Sequence, residues 1–422
     1  MNVKEKITIE DFEDKSFKMR VVEPENEKKA SFTHYLHNHR NGVSQFFKND
    51  ALGYVKEVLA KKYPEETITN KVAEDALQYL LFDRKSNVPF PEPKIQKFKF
   101  IDLFAGIGGF RLAFQNIGGK CVFTSEWDKY SKMTYQANFG EVPFGDITRP
   151  ETKGYIPNNF DVLCAGFPCQ SFSIAGKRGG FEDTRGTLFF DVAEIIKKKQ
   201  PKAFFLENVK GLRNHDKGKT LKTILNTLRE DLGYFVPEPQ IINAKEYGVP
   251  QNRERIFIVG FRKDLGINDF EYPVGKNKNV AIEDILEEKE VSVKYYLSAT
   301  YVDTLRKHKA RHASKGNGFG YEIIPNEGTA NAVVCGGMGR ERNLILDDKL
   351  TNFVPVTHIT GEVNREGIRK MTPREWARLQ GFPEEFKIVV SDAQAYKQFG
   401  NSVAIPAIQA TAKRIIEKLK NA

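Results

Sequence analysis

Ala165-Gly166-Phe167-Pro168-Cys169-Gln170-Ser171-Phe172 is the stretch on which the reading of this chain turns. It follows a short apolar run, Phe160-Asp161-Val162-Leu163-Cys164, with the length and composition of a buried strand. It precedes a glycine-rich, charged run, Ala175-Gly176-Lys177-Arg178-Gly179-Gly180, of loop composition. One cysteine therefore stands just past the carboxyl end of a predicted strand, behind a rigid proline. In open α/β sheets that edge is where ligands and chemistry collect. Taken alone, Cys169 reads as readily as a small buried hydrophobe, the usual lot of a free cysteine. Its surroundings decide between the two.

Upstream, Phe98-Lys99-Phe100-Ile101-Asp102-Leu103-Phe104 reads as a strand, and Ala105-Gly106-Ile107-Gly108-Gly109-Phe110 opens a helix running to about Asn116. Glycines at such a turn let a ligand approach the backbone at a helix amino terminus. The next strand, Cys121-Val122-Phe123-Thr124-Ser125, ends in Glu126-Trp127-Asp128. An acidic residue about twenty positions after the turn is placed to bind ribose hydroxyls, and Trp127 offers a face for a base. The alternative for Glu126 is a solvated loop carboxylate. Asp146, in Gly145-Asp146-Ile147-Thr148, ends a third strand-loop. The glycines depart from the strict dinucleotide spacing, and no phosphate-binding lysine follows them, which argues against a nucleoside triphosphate.

Downstream the alternation continues. Residues 188–199 form an amphipathic helix, and Ala203-Phe204-Phe205-Leu206 is a strand ending at Glu207-Asn208-Val209. Residues 221–232 are a further helix, and Gln251-Asn252-Arg253-Glu254 leads into the strand Arg255-Ile256-Phe257-Ile258-Val259-Gly260. Strands alternating with helices imply an α/β fold with a doubly wound, mostly parallel sheet. Cys169, Glu207, Arg253 and Arg255 then all fall at strand termini or adjoining loops. From about residue 264 to 363 the alternation breaks down into segments rich in Gly, Asn, Lys and Arg, among them Lys307-His308-Lys309-Ala310-Arg311-His312. Basic, glycine-bearing loops suit a surface that tracks phosphates and reaches base edges, with a solvated charged face as the alternative. Thr372 caps a helix with Pro373 in its first turn, and Gln398-Phe399-Gly400-Asn401-Ser402-Val403 leads into a last helix.

With 422 residues, two to three domains are expected. A net charge of +10 favours a polyanionic partner. Four cysteines in so long a chain do not make a disulfide framework, and Cys121, Cys164, Cys169 and Cys335 lack the paired spacing of a zinc site, so no metal is expected. No run reaches membrane-span length and no signal-peptide pattern opens the sequence; a cytoplasmic setting is expected. Residues 1–27 read as a loose arm, residues 37–62 and 68–82 as two or three short helices, and Asn87-Val88-Pro89-Phe90-Pro91-Glu92-Pro93 as a stiff linker.

Five ordered blocks give the chain from Phe98 onward a specific resemblance: Asp102-Leu103-Phe104-Ala105-Gly106-Ile107-Gly108-Gly109, Gly166-Phe167-Pro168-Cys169-Gln170, Glu207-Asn208-Val209, Gln251-Asn252-Arg253-Glu254-Arg255 and Gly400-Asn401-Ser402-Val403. Together they resemble the DNA (cytosine-5) methyltransferases. Within that family the likeness runs to the HpaII type of modification enzyme, including Gly336-Gly337-Met338-Gly339-Arg340-Glu341-Arg342-Asn343-Leu344. The part before Phe98 lies outside the shared pattern.

The resemblance implies an S-adenosylmethionine-dependent, Rossmann-like methyltransferase fold. Its parts would be an amino-terminal arm and helical extension over residues 1–96, a catalytic and cofactor domain over 97–263, a target-recognition domain over 264–365, and a returning segment over 366–422. It implies that the thiolate of Cys169 adds to carbon 6 of a cytosine, a role cysteine suits as an intrinsically strong nucleophile. A buried Glu207 of raised pKa would serve the ring nitrogen at position 3. Arg255, with Arg253 nearby, would face the carbonyl oxygen at position 2. Phe104, Ala105, Gly106, Gly108, Gly109 and Pro168 would line the cofactor's methionine and ribose; Glu126 would take the ribose hydroxyls and Trp127 stack on adenine. Asp146 and Ile147 would flank the adenine edge, with Asn401, Ser402 and Val403 closing the methionine end. The target base must be flipped out of duplex DNA. The loop over residues 170–186, with Ser173, Lys177, Arg178 and Arg185, is composed to close on DNA, and Arg340 and Arg342 are the base readers. The HpaII likeness implies the site CCGG with the inner cytosine methylated, and a cognate restriction endonuclease as functional partner. The competing readings are a catalytically silent DNA-binding relative, an RNA cytosine methyltransferase sharing these motifs, and a nicotinamide dehydrogenase. The last leaves the cysteine and arginine blocks unexplained.

Overall fold

The computed structural model describes residues 7–11, 17–21, 27–39, 42–65, 67–82, 88–168, 188–276, 280–335, 339–355 and 361–422. Contacts divide the chain into two compact units, Met1–Arg84 and Lys85–Ala422.

In the first unit, β1 (Ile7–Asp11) pairs antiparallel with β2 (Phe17–Val21), within the stretch read as a loose arm. Ile7 and Ile9 alternate with polar residues, as do Phe17, Met19 and Val21, and the register sets Ile7 opposite Val21 and Ile9 opposite Met19. Three helices follow, α1 (Glu27–Asn38), α2 (Ser44–Lys62) and α3 (Asn70–Phe82). Phe47, Ala51 and Val55 of α2, at helical spacing, are buried with Ala73 and Leu77 of α3.

The second unit is built on a seven-stranded sheet. In chain order its core elements are β3 (Phe98–Leu103), α4 (Gly109–Gln115), β4 (Gly119–Ser125), α5 (Lys129–Phe139), α6 (Pro150–Gly154), β5 (Val162–Gly166), α7 (Leu188–Lys199), β6 (Ala203–Val209), α8 (Lys219–Asn226), β7 (Tyr234–Phe235), β8 (Gln240–Asn243), β9 (Gln251–Asn252) and β10 (Glu254–Arg262). The order is β4-β3-β5-β6-β10-β7, with β8 also on β10. β4, β3, β5 and β6 are parallel, as the alternation of strands and helices requires. β10 runs antiparallel to β6. Its apolar run is indistinguishable from that of a parallel strand, so its direction is set by its connection. Helix α8 ends sooner than the run 221–232 implied and continues as a wider, π-type turn over Thr227–Asp231.

The proline stretch read as a linker packs on this sheet. Phe90 lies against the core, its N–H donates to the Asn138 carbonyl, and Glu92 pairs with the buried Lys120. Prolines remove donors but leave Phe90 free to bury its ring.

The remaining elements are α9 (Ala299–Ala313), β11 (Ala330–Asn331), β12 (Leu344–Leu346), β13 (Ile368–Lys370), α10 (Pro373–Leu379), α11 (Asp392–Asn401) and α12 (Ile405–Lys420). α10 starts at the expected cap: the Thr372 side chain accepts from the Glu375 N–H, and Glu375 accepts from the Thr372 N–H. Glu375 also receives the fully buried Arg369, which reaches Asp347 at 2.7 Å, tying β12 and β13 to this helix. α12 packs its apolar face, including Ile408, Ala412 and Ile415, into the main core.

Candidate active site

The parallel ladder between β5 and β6 sets Gly166 opposite Glu207 at the carboxyl ends of both strands. A Cβ built on Gly166 would stand 3.7 Å from Glu207 Oε2, so the backbone approaches this carboxyl closely. The Asn208 side chain donates to the Phe167 carbonyl at 2.8 Å and so pins the chain entering Pro168. Cys169 and Gln170, with Ser173, Lys177, Arg178 and Arg185, lie outside the described residues.

Glu207 is buried, and burial pushes its carboxyl above the usual range, offset in part by Arg255 and Arg253. Arg255 Nε stands 3.1 Å from Glu207 Oε1, and its Nη1 donates to the Glu254 carbonyl. Arg253 is placed otherwise. Its guanidinium is buried and donates to the carbonyls of Val333 at 2.8 Å, Gly400 at 3.2 Å and Ser402. It therefore clasps two backbone segments, at Val333 and at 400–402, and among the described residues its Nε is left buried without a partner. Burial and the charge of Arg255 press it toward the neutral form.

The glycine turn lies beside this pair. Gly106 and Gly108 adopt left-handed backbone angles, as does Phe104, a strained choice for a residue with a side chain. A Cβ on Gly108 would strike the Phe139 ring at 2.3 Å, and one on Gly109 would strike Val403 Cγ2 at 2.7 Å. The turn thus requires glycine for packing as well as for conformation, and it brings Ser402 and Val403 against the start of α4. Ala105 N–H donates to the Ser125 carbonyl, fixing the turn against β4.

Glu126, at the end of β4, is buried and accepts from the Gly106 N–H and the Asp128 N–H, each at 2.7 Å. It is thus no solvated loop carboxylate. Two N–H donors leave lone pairs for further donors such as ribose hydroxyls. Trp127 beside it is 71% exposed, an uncovered aromatic face at the rim. The Glu126 N–H donates to the Phe144 carbonyl, which lays the following Asp146 and Ile147 alongside this corner. Asp146 accepts from the Thr148 N–H and hydroxyl, while Ile147 is buried. Glycines that admit no side chain, a fixed buried carboxylate and an open indole form a cradle that fits an adenosine-bearing cofactor.

Asn401 is exposed and its Oδ1 receives the Cys335 thiol at 2.8 Å. Arg340 and Arg342 are exposed; the Arg340 guanidinium lies over the Tyr396 ring at 5.4 Å. Among the described residues no group of side chains could hold a metal ion, and no helix is long and apolar enough to cross a membrane.

Some of the supporting residues escaped the sequence reading. Asn208 stood inside a quoted block without a role. Gln251, likewise quoted, donates to the Leu379 carbonyl at 2.8 Å and accepts from the Val333 N–H at 3.0 Å. Asp128, whose carboxylate caps α5 and pairs with Lys397 at 3.1 Å, had the signal of a helix N-cap directly after Trp127.

A model of the family described as C-5 cytosine-specific DNA methylase matches residues 98–417. Type II methyltransferase M.HpaII of Haemophilus parainfluenzae is 72% identical over 352 residues, 83% of this chain and 97% of that protein. Type II methyltransferase M.HhaI of Haemophilus parahaemolyticus is 41% identical over 340 residues, 78% of this chain and 97% of that one. The solved structure of the Entamoeba histolytica methyltransferase EhMeth has a TM-score of 0.58 at 19% identity, covering 77% of this chain and 99% of that one, a likeness of fold. The family match begins at the first residue of β3 and ends within α12, spanning the sheet and every described side chain of the site: the chain belongs to the C-5 cytosine-specific DNA methylase family.

Proposed function

We propose that this DNA cytosine-5 methyltransferase acts through a covalent Cys169 adduct on the inner cytosine of CCGG in duplex DNA, as the modification half of a restriction-modification system in the bacterial cytoplasm. The observation that carries the mechanism is the buried Glu207, opposite Gly166 across the ladder and 3.1 Å from Arg255. The strand that ends at Gly166 leads, three residues on, to Cys169.

Cytosine carbon 5 is a weak nucleophile. Addition of the Cys169 thiolate to carbon 6 makes carbon 5 enamine-like, and charge moves toward nitrogen 3 and the carbonyl oxygen at position 2. A carboxyl of raised pKa keeps a proton to share with nitrogen 3, which is Glu207's part. Arg255, held beside Glu207 by its Nε, supplies the fixed positive charge for the oxygen. Arg253 holds Val333, Gly400 and Ser402 in place and so acts by positioning. S-adenosylmethionine, the methyl donor that the family implies, supplies an electrophilic methyl group when bound; Glu126 would take its ribose and Trp127 its adenine. Loss of the carbon 5 proton and expulsion of the Cys169 thiolate regenerate the enzyme. The target base is reached by flipping.

The site CCGG rests on the resemblance to the HpaII type, with the exposed Arg340 and Arg342 as the readers. Bisulfite sequencing of DNA from cells expressing the chain is the deciding experiment. Protection of the inner cytosine of CCGG is expected. Methylation confined to another sequence would overturn the site, and no methylation at all would overturn the activity.

A further inference from the structure

In helix α9 Val302 and Leu305 are buried, His308 and His312 are half-buried, and the other residues are exposed. Two of its cations are used within the fold: Arg306 pairs with Glu366 at 2.6 Å, and the Lys309 ammonium lies over the Tyr321 ring at 5.0 Å. Lys307, Arg311 and Lys315 are exposed, and among the described residues none of them has an ion pair. Lys307 and Arg311 stand about 6 Å apart along α9, and Lys315 follows in the turn that ends it, two residues past Ala313.

The chain leaving α9 is a built loop. Gly316, in the left-handed region, ends the helix, and the Asn317 N–H folds back to the His312 carbonyl at 3.0 Å. At Gly320 the chain returns against the helix so closely that a Cβ would meet Lys309 Cγ at 2.8 Å. Between these turns Phe319 is 68% exposed, its ring set edge-to-face with that of His312 at 5.9 Å between centroids. The element is anchored beside the candidate base readers. The Glu322 N–H donates to the Glu341 carbonyl at 3.0 Å, and the Tyr301 hydroxyl donates to Glu341 Oε1 at 3.3 Å; Glu341 stands between Arg340 and Arg342.

We propose that Lys307 and Arg311 of α9, with Lys315 in the turn that ends the helix and Phe319 on the loop after it, form a second contact to duplex DNA, in which the cations follow the phosphate backbone and the phenyl ring meets a sugar or base face. A solvated helix would account for the cations but not for a large aromatic held out of the core on an ordered, glycine-flanked loop. Phosphates beside exposed base or sugar faces are the ligand with that pairing of chemistries. This contact fixes register and adds affinity without reading sequence. It rests on DNA as the substrate and is independent of Arg340 and Arg342 being the readers.

The test measures binding of the full chain to a fluorescent CCGG duplex across a salt series. Each lost phosphate contact lowers the slope of log affinity against log salt by about 0.9. The triple variant Lys307→Ala, Arg311→Ala, Lys315→Ala is therefore expected to lose about 2 to 3 from that slope and at least about tenfold in affinity at low salt, with its methylation site unchanged. Phe319→Ala is expected to weaken binding with the slope kept. All four side chains are exposed, and unchanged thermal melting and S-adenosylmethionine affinity confirm folding. A wild-type slope in the triple variant, or wild-type affinity in Phe319→Ala, overturns the contact. A changed site preference at constant slope also overturns it, because that is the signature of base reading. Failure of the reader assignment shows instead as unaltered site choice in Arg340→Ala and Arg342→Ala.

Discussion

Arg255 Nε lies 3.1 Å from Glu207 Oε1, with both side chains largely withdrawn from water. The arginine offsets only part of the cost of burying the carboxylate, which stays easier to protonate than an exposed glutamate. The protonated fraction of Glu207 falls as pH rises through its elevated pKa. The single-turnover rate of methyl transfer should therefore fall on that alkaline limb if the acid form is the working one. Glu207→Gln, which keeps a donor but cannot ionise, should lose about 10²- to 10⁴-fold in rate and also lose the limb, with cofactor affinity nearly unchanged. A variant that retains the wild-type pH limb would remove Glu207 from the proton's path.

DNA carrying 5-fluorocytosine cannot release its carbon 5 substituent and should accumulate as a covalent adduct through Cys169. Cys169→Ser should give neither adduct nor turnover on denaturing gels, while calorimetry shows S-adenosylmethionine binding close to wild type. Trapping at the wild-type rate would sink the nucleophile assignment.

Glu126 links two backbone amides, those of Gly106 and Asp128, to the corner beside Trp127. Glu126→Ala should weaken S-adenosylmethionine binding by about 1–3 kcal/mol through the lost charge-assisted hydrogen bonds. Calorimetric affinity equal to wild type would count against this cofactor map.

Asp102 is fully buried in β3, and among the described residues neither carboxyl oxygen has a hydrogen-bond partner of ordinary geometry, the Arg111 backbone N–H being the donor nearest to that role. Burial raises its pKa from 3.8 to about 8, with the charge of Arg111 offsetting only part. A raised folded-state pKa means that the unfolded chain releases this proton first. The stabilising contribution is complete below about pH 4 and is lost progressively as pH rises toward 8. Asp102→Asn should flatten that decline, so its melting temperature should gain on wild type between pH 5 and pH 8.5. A constant difference across that range would show that Asp102 ionises as readily folded as unfolded.

The exposed Arg340 and Arg342 flank the buried Glu341. A bidentate contact to guanine is worth about 1–3 kcal/mol of discrimination, so Arg340→Ala and Arg342→Ala should each relax choice at one position of the site. Bisulfite sequencing on random DNA reads this directly. If both variants keep the wild-type site preference, the block is not the reader.

Much of the site was legible locally. Strand-length apolar runs leading to Gly166, Glu126 and Glu207 follow from period and composition, the first read as 160–164 where β5 spans Val162–Gly166, and so does the Thr372 cap. The glycine turn announced a close approach, although which atoms approach is a matter of tertiary structure. Local sequence carries such features because backbone propensity and capping act within one or two turns of chain.

What the tertiary structure alone decided is convergence. The reading placed Arg253 beside Arg255 as a second catalytic cation, yet Arg253 lies in the break between β9 and β10, before β10 begins at Glu254, and so does not share the alternation of the strand that carries Arg255. Arg255 meets Glu207, while Arg253 turns to carbonyls of Val333, Gly400 and Ser402. The antiparallel course of β10, the Val403 methyl against Gly109, and Phe90 in the core likewise follow from burying complementary surfaces far apart in the chain. Sequence alone specified the residue types and their local geometry. Which of them meet was settled by loop closure and close packing, whose free energy belongs to pairs of segments and is written in neither one.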